Sequence, residues 1–442
     1  MIIRITSDNP HFLDLLRKNP ATFGGFQLRE HKNGVAIGRI ISNSEYHMVF
    51  QDTKYSYSKD TSNQIDFQSY CNPRAALGLV GVFLRHTLIS ESDWSNSEIP
   101  WLEKTVEEVD DDEYHHRIVI DNIYADGFSK NRGFVLAKYF NGVKLIHLGG
   151  NQYRLEVAVT STLHRAINLA AFVMMYIAAT NKQSWFLNKD LANKYIKVME
   201  NIKHVPYFVL YLFARSALPT EALFDEFRPR LEALLHHELH MKYGNTQTMR
   251  INQIRSMIIE DGTVNTNIVE IGCSDGDYPR KLARKLSSGL SWWSHDVDDY
   301  GYLNSYVPEK MSDDTSFTFT QSFDEVPVQD NTTVLMVEVI EHMEIDEAKQ
   351  LIASVINKHQ PDRIIITTPN RTFNRWYKFD ELGIEFRHAD HKFEFTTPEF
   401  ANFIKNVMTS NGYYSSYSTD FFGIGDSIDS EFTSNGVDMR RI

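Results

Sequence analysis

Cysteine is scarce in this sequence, and its scarcity excludes two classes of protein. The 442 residues include 2 cysteines, Cys71 and Cys273, which lie far apart along the chain. Two distant thiols provide neither a disulfide framework nor the closely spaced pairs of a structural zinc site. They fit a protein that works in a reducing compartment, and we expect a cytoplasmic location.

Long apolar segments are missing too. The first residues, MIIRITSDNPHF, lack the apolar stretch of a secretory signal peptide. The most apolar segment, INLAAFVMMYIAA at 167–179, contains Asn168 and follows His164 and Arg165. It is shorter than the ~18–20 residues that a membrane-spanning helix needs. We therefore predict a buried core helix here and no association with a membrane.

The chain has no excess of positive charge. Its formal net charge is -13, and because phosphate binding needs Lys and Arg, this balance argues against a protein that coats nucleic acid. Much of the acid lies in one run, VEEVDDDEYHH at 106–116, which is most simply a solvated loop. A small basic site for a single RNA end is compatible with this charge.

The first half of the chain has a mixed pattern. MIIRIT predicts a strand, and FQLREHKNGVAIGRII predicts a β-hairpin that turns at Asn33 and Gly34. From about residue 160 the apolar spacing becomes helical. We predict an α+β domain with a helical second part over 1–243, and we place its boundary in the turn-rich segment YGNTQT at 243–248.

After residue 249, strands alternate with helices. The strand NIVEIG is followed by the polar loop CSDGDYP and the helix RKLARKL; the strands WWSHDV, TVLMVEV and RIIITT come later, with DEAKQLIASVINK and TPEFANFIKNVM as helices. This alternation predicts parallel βαβ units and a doubly wound α/β sheet over 249–442. Ligands of such sheets bind beyond the carboxyl ends of the strands.

A loop that contains glycine follows the first of these strands. VEIGCSDG at 269–276 places Gly272 and Gly276 where backbone without side chains can approach a cofactor closely. Asp296 ends the next strand, roughly 20 residues after Gly276, where an acid can hydrogen-bond ribose hydroxyls. Because the loop is not G-x-G-x-x-G, a smaller adenosine cofactor such as S-adenosylmethionine matches it better than a dinucleotide.

Two glutamates and a histidine accompany the end of TVLMVEV. Glu338 ends the strand, and Glu341 and His342 lie in the first turn of the next segment. Taken alone, they could equally be an acid that complements a helix dipole and a solvated histidine. The later segment EFRHADHKFEFTTPEF brings three more polar candidates: His388, Asp390 and His391. Two Glu and two His from two strand-end loops would suit a hard divalent cation.

These motifs resemble a known family. VEVIEH with the downstream RHADHKFEFTTPEF is similar to the signature of the HEN family of small-RNA 3′-terminal ribose 2′-O-methyltransferases. IIITTPNRTFN and VEIGCSDG also resemble their counterparts there, so the resemblance covers about 250–442. In the first half, LRKNPATFGGFQL and YCNPRAALGLVGVFLRHTL resemble the N-terminal extension of the bacterial branch, which works with an RNA-repair kinase–phosphatase–ligase.

The resemblance implies a Rossmann-like class I S-adenosylmethionine-dependent methyltransferase domain at 249–442. It implies methyl transfer to the 2′-hydroxyl of the 3′-terminal ribose of RNA, in RNA repair, with S-adenosylmethionine and one Mg²⁺ or Mn²⁺. An RNA end with free 2′- and 3′-hydroxyls and the kinase–phosphatase–ligase, on which residues 1–243 would dock, are the implied partners.

The resemblance also implies a set of site residues. The implied catalytic residues are also the metal ligands: Glu338, Glu341, His342 and His391. His391 is preferred to His388 because the Asp-His pair is the family's fixed element. The implied cofactor contacts are Glu270, Gly272, Cys273, Gly276, Asp296 and Ser322.

RNA contacts are expected from basic residues that are interleaved with aromatic ones before the last helix. The basic residues are Arg363, Arg371, Arg375, Lys378, Arg387 and Lys392, and the aromatic ones are Phe373, Trp376, Tyr377 and Phe379. Stacking on terminal bases together with phosphate neutralisation is how single strands are held. The ordinary alternative is that the aromatic side chains belong to the core and the charges are solvated.

Other functions are open at this point. The chain could be chiefly an activating partner of an RNA kinase–phosphatase–ligase, or a methyltransferase for a small molecule or a protein. A zinc site is not expected in LLHHELH, where His236 and His240 share one face of a predicted helix, because the spacing is not H-E-x-x-H and no third ligand is evident.

Overall fold

The chain divides into two compact units. The computed structural model describes residues 1–19, 24–31, 34–52, 71–126, 136, 139–181, 185–378 and 383–442. The units are Met1–His236 and His237–Ile442. The second unit begins a few residues before the predicted boundary at 243–248, because a short strand at Leu239–His240 pairs with a strand near the C-terminus.

The N-terminal unit contains an antiparallel sheet. Its strands in the described residues are β1 (Ile2–Ser7), β2 (Phe26–His31), β3 (Gly34–Ser42), β4 (Glu45–Asp52), β5 (Glu98–Ile99), β6 (Lys104–Thr105), β7 (His115–Tyr124), β8 (Val143–Gly149) and β9 (Gln152–Thr160). One sheet has the order β2-β3-β4-β1-β7-β9-β8, and β5 pairs with β6. The predicted first strand and the pairing of β2 with β3 are confirmed. Asn33, in the predicted turn, lies outside the described residues.

The part of this unit after β9 is helical, as the pattern from about residue 160 predicts. In the described residues the helices of the unit are α1 (Phe12–Leu15), α2 (Pro73–Phe83), α3 (Glu91–Ser95), α4 (Leu163–Thr180), α5 (Lys189–Ile202), α6 (Tyr207–Ala217) and α7 (Glu221–Glu232). The helix predicted through LLHHELH is wrong at its end, because α7 stops at Glu232 and His240 lies in a strand. His236 and His240 therefore do not share a helix face.

The long apolar helix α4 lies in the core of its unit. Among the described residues it is long and apolar enough to cross a membrane by length and composition, but 94% of it is buried. Its one amide side chain, Asn168, donates hydrogen bonds to the carbonyl oxygens of Thr87 and His164, each at 2.8 Å. The predicted core helix is confirmed.

The acidic run before β7 is not wholly solvated. Asp110 is buried, and its carboxylate accepts the Leu163 N–H at the start of α4 at distances of 3.2 and 3.0 Å. Burial raises the pKa of Asp110 to about 7. The solvated loop predicted at 106–116 is therefore wrong at this residue, which the structure uses to begin a helix.

The C-terminal unit is a mixed sheet with helices on both faces. Its strands are β10 (Leu239–His240), β11 (Asn267–Ile271), β12 (Ser291–His295), β13 (Ser316–Thr320), β14 (Thr332–Val337), β15 (Arg363–Pro369), β16 (Tyr417–Ile428) and β17 (Glu431–Arg441). Its helices are α8 (Thr246–Ile258), α9 (Asp277–Leu282), α10 (Leu303–Tyr306), α11 (Ile345–His359), α12 (Asn374–Tyr377) and α13 (Thr397–Ser410). The sheet order is β10-β16-β17-β15-β14-β11-β12-β13.

Five neighbouring strands, β13-β12-β11-β14-β15, pair in parallel, and β17 then pairs antiparallel to β15. The sequence order therefore reverses between β11 and β14, which is the point where a doubly wound sheet opens a crevice for a ligand. The doubly wound α/β sheet predicted for 249–442 is confirmed.

Apolar side chains on both faces of this sheet explain its continuous hydrophobic strands. Along β15, Ile364 and Ile366 pack with α11 and α13, whereas Ile365 packs with α8 and α9 on the other face. Because alternate side chains point to opposite faces, a strand buried on both sides has no polar alternation. The runs TVLMV and RIIIT show this pattern.

One ion pair inside the C-terminal unit corrects a predicted RNA contact. Arg363 begins β15, at the edge of the sheet opposite the carboxyl ends of the parallel strands. Its Nε and Nη2 atoms lie 2.8 and 2.7 Å from the Asp438 carboxylate, and both side chains are largely buried. Arg363 joins β15 to β17, and its assignment to RNA binding is wrong.

Arg363→Met should destabilise the protein by about 2 kcal/mol, because it leaves the buried Asp438 carboxylate short of a partner. The cost stays moderate because Arg440 Nη2 remains 3.1 Å from the same carboxylate. Urea unfolding measures the change. Lys405→Met, at an exposed position of α13, is the matched control; equal stability of the two variants would contradict the role given to Arg363.

Candidate active site

A cavity of about 520 Å³ opens at the carboxyl ends of the parallel strands. Residues that follow β11, β12 and β14 line it, among them Gly272, Asp296, Glu338 and His342. Asp390, from the segment before α13, completes this part of the wall. The sheet thus brings together side chains that are more than a hundred residues apart in the sequence.

Gly272 is required by both backbone and space. Its φ is +73°, and a Cβ built there would lie 2.4 Å from Val339 Cγ2. Its N–H donates to the His295 carbonyl oxygen at 2.8 Å, which ties the loop after β11 to the end of β12. Only glycine satisfies these conditions without moving the loop.

Gly276 closes the same loop. Its φ is +71°, its N–H donates to the Cys273 carbonyl oxygen at 2.9 Å, and α9 begins at the next residue. A Cβ at Gly276 would meet Leu303 at 2.8 Å. The predicted loop therefore has glycine, with no side chain, at both of its bends. It leads directly into the N-terminus of α9.

Asp296 is fixed by two backbone donors. Its Oδ2 accepts the Ser274 N–H at 2.8 Å, and its Oδ1 accepts the Asp298 N–H at 3.1 Å. The side chain is half-buried on the cavity wall. These two bonds aim the carboxylate at the cavity, in the position expected of an acid that binds ribose hydroxyls.

The other predicted cofactor residues lie beside or beneath the cavity wall. Glu270 is buried, and its Oε2 accepts Trp292 Nε1–H at 3.1 Å and the Ser294 hydroxyl at 2.7 Å. Cys273 is also buried, in an apolar cluster under the sheet, and burial raises the pKa of its thiol. Ser322 is exposed just after β13, where its N–H donates to Thr320 Oγ1 at 3.0 Å. Glu270 thus supports the loop from below.

Three of the four predicted metal ligands come together. Donor atoms of Glu341, His342 and His391 all lie within 4.8 Å of one another in the described structure. Glu341 and His342 belong to a single turn of 3₁₀-helix, Ile340–His342, that directly follows the β14 end. The His342 and His391 rings are 4.8 Å apart between centroids and nearly perpendicular, at 83°.

Glu341 is the centre of this group. Its side chain is fully buried; Oε2 accepts the Thr368 hydroxyl at 3.1 Å, whereas Oε1 has no hydrogen-bond partner among the described residues. Burial, and after it the charge of Glu338, raise the pKa of Glu341 well above its ordinary value. A buried carboxylate oxygen without a donor is costly unless a cation completes it.

Carboxylates orient both histidines. His391 Nδ1 lies 2.7 Å from Oε1 of the buried Glu394, and His342 Nδ1 lies 3.0 Å from Asp390 Oδ2. When Nδ1 donates to a carboxylate, Nε2 is left as the ligand atom, which is the usual arrangement around metal ions in proteins. One carboxylate and two imidazoles in this geometry fit a divalent cation such as Mg²⁺ or Mn²⁺.

Glu338, the fourth predicted ligand, has other partners. Its Oε2 lies 2.8 Å from Arg250 Nη2, and its Oε1 accepts the Thr367 hydroxyl at 3.0 Å. Its φ is +56°, which is unusual for a residue other than glycine and points to a constrained strand end. Glu338 lies on the cavity wall, but its carboxylate is paired to Arg250 rather than grouped with the three donors.

Three of the predicted RNA-binding arginines make contacts within the protein. Arg371 Nη2 lies 2.8 Å from Glu399, and Arg375 Nη2 lies 2.7 Å from Glu431. Arg387 donates to Asn374 Oδ1 at 2.6 Å and to the Asn370 carbonyl oxygen at 2.7 Å, and so holds the segment that carries His391.

The predicted lysines differ from these arginines. Lys392 is exposed, and its N–H donates to the Glu341 carbonyl oxygen at 2.7 Å, which places it directly beside the three donors. Lys378 ends α12 in a left-handed conformation. Of the aromatic residues, Phe373 is buried, and Phe379 lies outside the described residues. Lys392 is thus the predicted basic residue best placed for an RNA end.

Several contributors to the site were not predicted from the sequence. Thr367 and Thr368 lie near the end of β15, so the rule that ligands bind at strand ends could have identified them. Glu394 lies three residues after His391 and could have been proposed as its partner. Arg250 lies in α8, before the first strand of the sheet, and nothing in its neighbourhood signals the contact with Glu338.

Glu270→Gln should flatten the pH dependence of stability. Burial raises the pKa of Glu270 to about 7 from its ordinary 4.5, so the folded state favours the neutral carboxyl. That contribution is complete below the ordinary pKa and is lost as pH rises through about 7, by roughly 1.4 kcal/mol per pH unit at most. Urea unfolding at several pH values measures this slope. The exposed control Glu309→Gln should keep the wild-type slope, and an equally steep slope for Glu270→Gln would contradict the assignment.

Similarity to known proteins extends along the whole chain. Residues 2–236 match the sequence profile of the Hen1 N-terminal domain. A chain in the solved structure of the Pnkp1/Rnl/Hen1 RNA repair complex is 31% identical, with 100% of both chains covered and a TM-score of 0.84.

Curated relatives match over shorter stretches. The small RNA 2′-O-methyltransferase of Tetrahymena thermophila is 34% identical over 85 residues, which is 19% of this chain and 20% of the relative. That of Caenorhabditis elegans is 30% identical over 112 residues, 25% of this chain and 22% of the relative. The chain thus spans about a fifth of the length of these relatives.

The order of the parallel strands and the match along the full length of a known structure confirm the predicted Rossmann-like class I methyltransferase fold of the C-terminal unit. The profile accounts for more than half of the chain, and the solved relative accounts for all of it. The chain belongs to the Hen1 family.

Proposed function

We propose that this protein transfers a methyl group from S-adenosylmethionine to the 2′-hydroxyl of the 3′-terminal ribose of RNA, with a divalent cation. The observation that carries the proposal is the group of Glu341, His342 and His391, of which His342 lines the same cavity as Gly272 and Asp296. A cofactor site and a cation site thus adjoin one another. The curated relatives are small RNA 2′-O-methyltransferases, which supports the same activity.

The cofactor fits the side of the cavity formed by the loop after β11. Gly272 keeps the loop surface free of a side chain, and the Asp296 carboxylate, held by two N–H donors, accepts hydrogen bonds from a ribose. The short α9 begins directly after this loop. These features suit an adenosine cofactor with a flexible tail, because they offer one fixed acceptor and an open backbone surface.

Glu341, His342 and His391 would hold the cation, which would supply acidity to a bound ribose hydroxyl and fix its orientation. Glu394 and Asp390 bind Nδ1 of the two imidazoles, which leaves Nε2 of each ring as the ligand atom. A site that contacts both the 2′- and the 3′-oxygen selects RNA ends on which both hydroxyls are free, and methyl transfer then depends on placing the 2′-oxygen in line with the cofactor.

Lys392 is proposed as the first contact for RNA phosphate. It is exposed and adjoins the three donors through its backbone bond to Glu341. Arg371 pairs with Glu399, and Arg375 pairs with Glu431. Each arginine must therefore leave its carboxylate before it can bind a phosphate. Binding should therefore be short-range and should involve few phosphates, which agrees with the acidic net charge of the chain.

His391→Ala should abolish metal-dependent methyl transfer, with a loss of at least about 100-fold, because it removes a ligand whose orientation is fixed by Glu394. Labelled methyl transfer from S-adenosylmethionine to a short RNA, with Mn²⁺ or with a chelator, measures this. His240→Ala is the matched control, because His240 is exposed in β10 and is not one of the three grouped donors; it should retain most of the activity.

An RNA that ends in 2′-deoxyribose, and one that ends in a 3′-phosphate, should remain unlabelled in the same assay. Labelling of either end, or labelling that persists in chelator, would contradict the proposed substrate and favour a methyltransferase for another kind of molecule.

We further propose that the chain works within an RNA-repair assembly. Met1–His236 forms its own compact unit and corresponds to the Hen1 N-terminal domain. The solved chain that matches the full length was determined in a complex with Pnkp1 and Rnl. The N-terminal unit would dock on a kinase–phosphatase and ligase of this type, and the C-terminal unit would modify the RNA end.

The full chain should co-elute with such partners in size-exclusion chromatography, whereas a fragment of residues 237–442 should not, because it lacks the docking unit. The full chain with His391→Ala is the control and should still co-elute. Co-elution of the fragment with the partners would place the docking surface on the C-terminal unit instead.

A further inference from the structure

Arg250 and Glu338 form a largely buried ion pair beside the cavity. The Nη2 and Oε2 atoms are 2.8 Å apart, and the two side chains are 13% and 15% exposed. Arg250 is held in place by its helix, since Ile251, Ile254 and Ile258 of α8 pack in the core under the sheet. The guanidinium is therefore fixed beside Glu338 by the fold and does not reach it as a mobile surface arginine would.

Glu338 is fully engaged in this arrangement. One oxygen pairs with Arg250, and the other accepts the Thr367 hydroxyl at 3.0 Å. Arg250 depends on the pair in turn: within the residues that the structure describes, its Nε is buried and has no hydrogen-bond partner. Removing Glu338 from Arg250 would leave a desolvated positive charge, which is strongly unfavourable.

The neighbouring cation group lacks one anionic ligand. Glu341, His342 and His391 offer one carboxylate and two neutral imidazoles, whereas a hard divalent cation in a protein prefers more oxygen ligands. Glu338 lies three residues before Glu341, directly after the end of β14, and it lines the same cavity as His342. A cation and Arg250 are thus two positive partners for a single carboxylate.

We propose that Arg250 is a positioning residue that competes with the divalent cation for Glu338, and that it thereby weakens cation binding by the free protein. This inference rests on the proposed metal-dependent function. The ion pair occupies the Glu338 carboxylate while the cation is absent, so a cation that uses this carboxylate must displace Arg250 from it. The cation site is complete only when Glu338 exchanges one partner for the other.

The test is Mn²⁺ binding to the full-length protein, measured from the free Mn²⁺ signal in electron paramagnetic resonance, without cofactor or RNA. Arg250→Met keeps most of the side-chain volume and removes the charge, so it should lower the Mn²⁺ dissociation constant by about tenfold. Arg255→Met, at an exposed position of the same helix, is the matched control and should bind as the wild type does.

A double-mutant cycle identifies Glu338 as the route of the effect. In a Glu338→Gln background, Arg250→Met should no longer tighten Mn²⁺ binding, because the carboxylate that it releases is missing. Arg250→Gln, a second replacement that removes the charge, should also tighten binding. It decides the matter if Arg250→Met fails to fold.

Unchanged or weaker Mn²⁺ binding by a folded Arg250→Met protein, or by Arg250→Gln if that protein alone is folded, would overturn the proposed competition. If Arg250→Met tightened Mn²⁺ binding equally in the wild-type and the Glu338→Gln backgrounds, the effect would be charge repulsion alone. That result would also overturn the proposed competition. Failure of the wild-type protein to bind Mn²⁺ would instead refute the metal-dependent function on which the inference rests.

Discussion

The buried carboxylate of Glu341 is the feature on which the candidate site depends. One of its oxygens accepts the Thr368 hydroxyl, and the other has no donor in the described structure. A desolvated carboxylate of this kind is unstable as an isolated anion, so its surroundings must supply a proton or a cation. The perpendicular imidazoles of His342 and His391, each backed by a carboxylate, make the cation the better match.

The sheet makes this concentration of charge possible. Parallel strands deliver their carboxyl ends to one edge, so the loop after β11, the acid after β12 and the turn after β14 meet without any long excursion of the chain. The segment before α13 then closes the site from outside the sheet. Its own anchor is Arg387, whose contacts with Asn370 and Asn374 place His391 opposite Glu341.

Much of this could be predicted from the sequence, because it follows from local patterns. Buried strands have apolar runs, and loops with glycine follow them. Asp296 and Glu341 come soon after such strands, so their place at one edge of the sheet follows from the local sequence. The errors arise where a partner lies far away along the chain. Arg363 looks like a basic residue for phosphate until Asp438, 75 residues further along the chain, is brought beside it.

Glu338 shows the same limit in a different form. Its position at the end of β14 was predictable, but its pairing with Arg250 depends on where α8 packs, and no local pattern in α8 encodes that contact. Asp110 is a parallel case in the N-terminal unit, where an acid within a charged run is buried because it binds the first N–H of α4. Side-chain partners, unlike strand order, are a tertiary property.

The contact between Gly272 and Val339 has a consequence for how the sequence can change over time. The loop on the cofactor side and the segment that carries Glu341 touch at this point, with no room for even one added carbon atom. A larger residue at 272 would require both a different backbone conformation and a smaller residue at 339. These two positions should therefore vary together among related sequences, even though one lies in the loop after β11 and the other in the segment that carries Glu341.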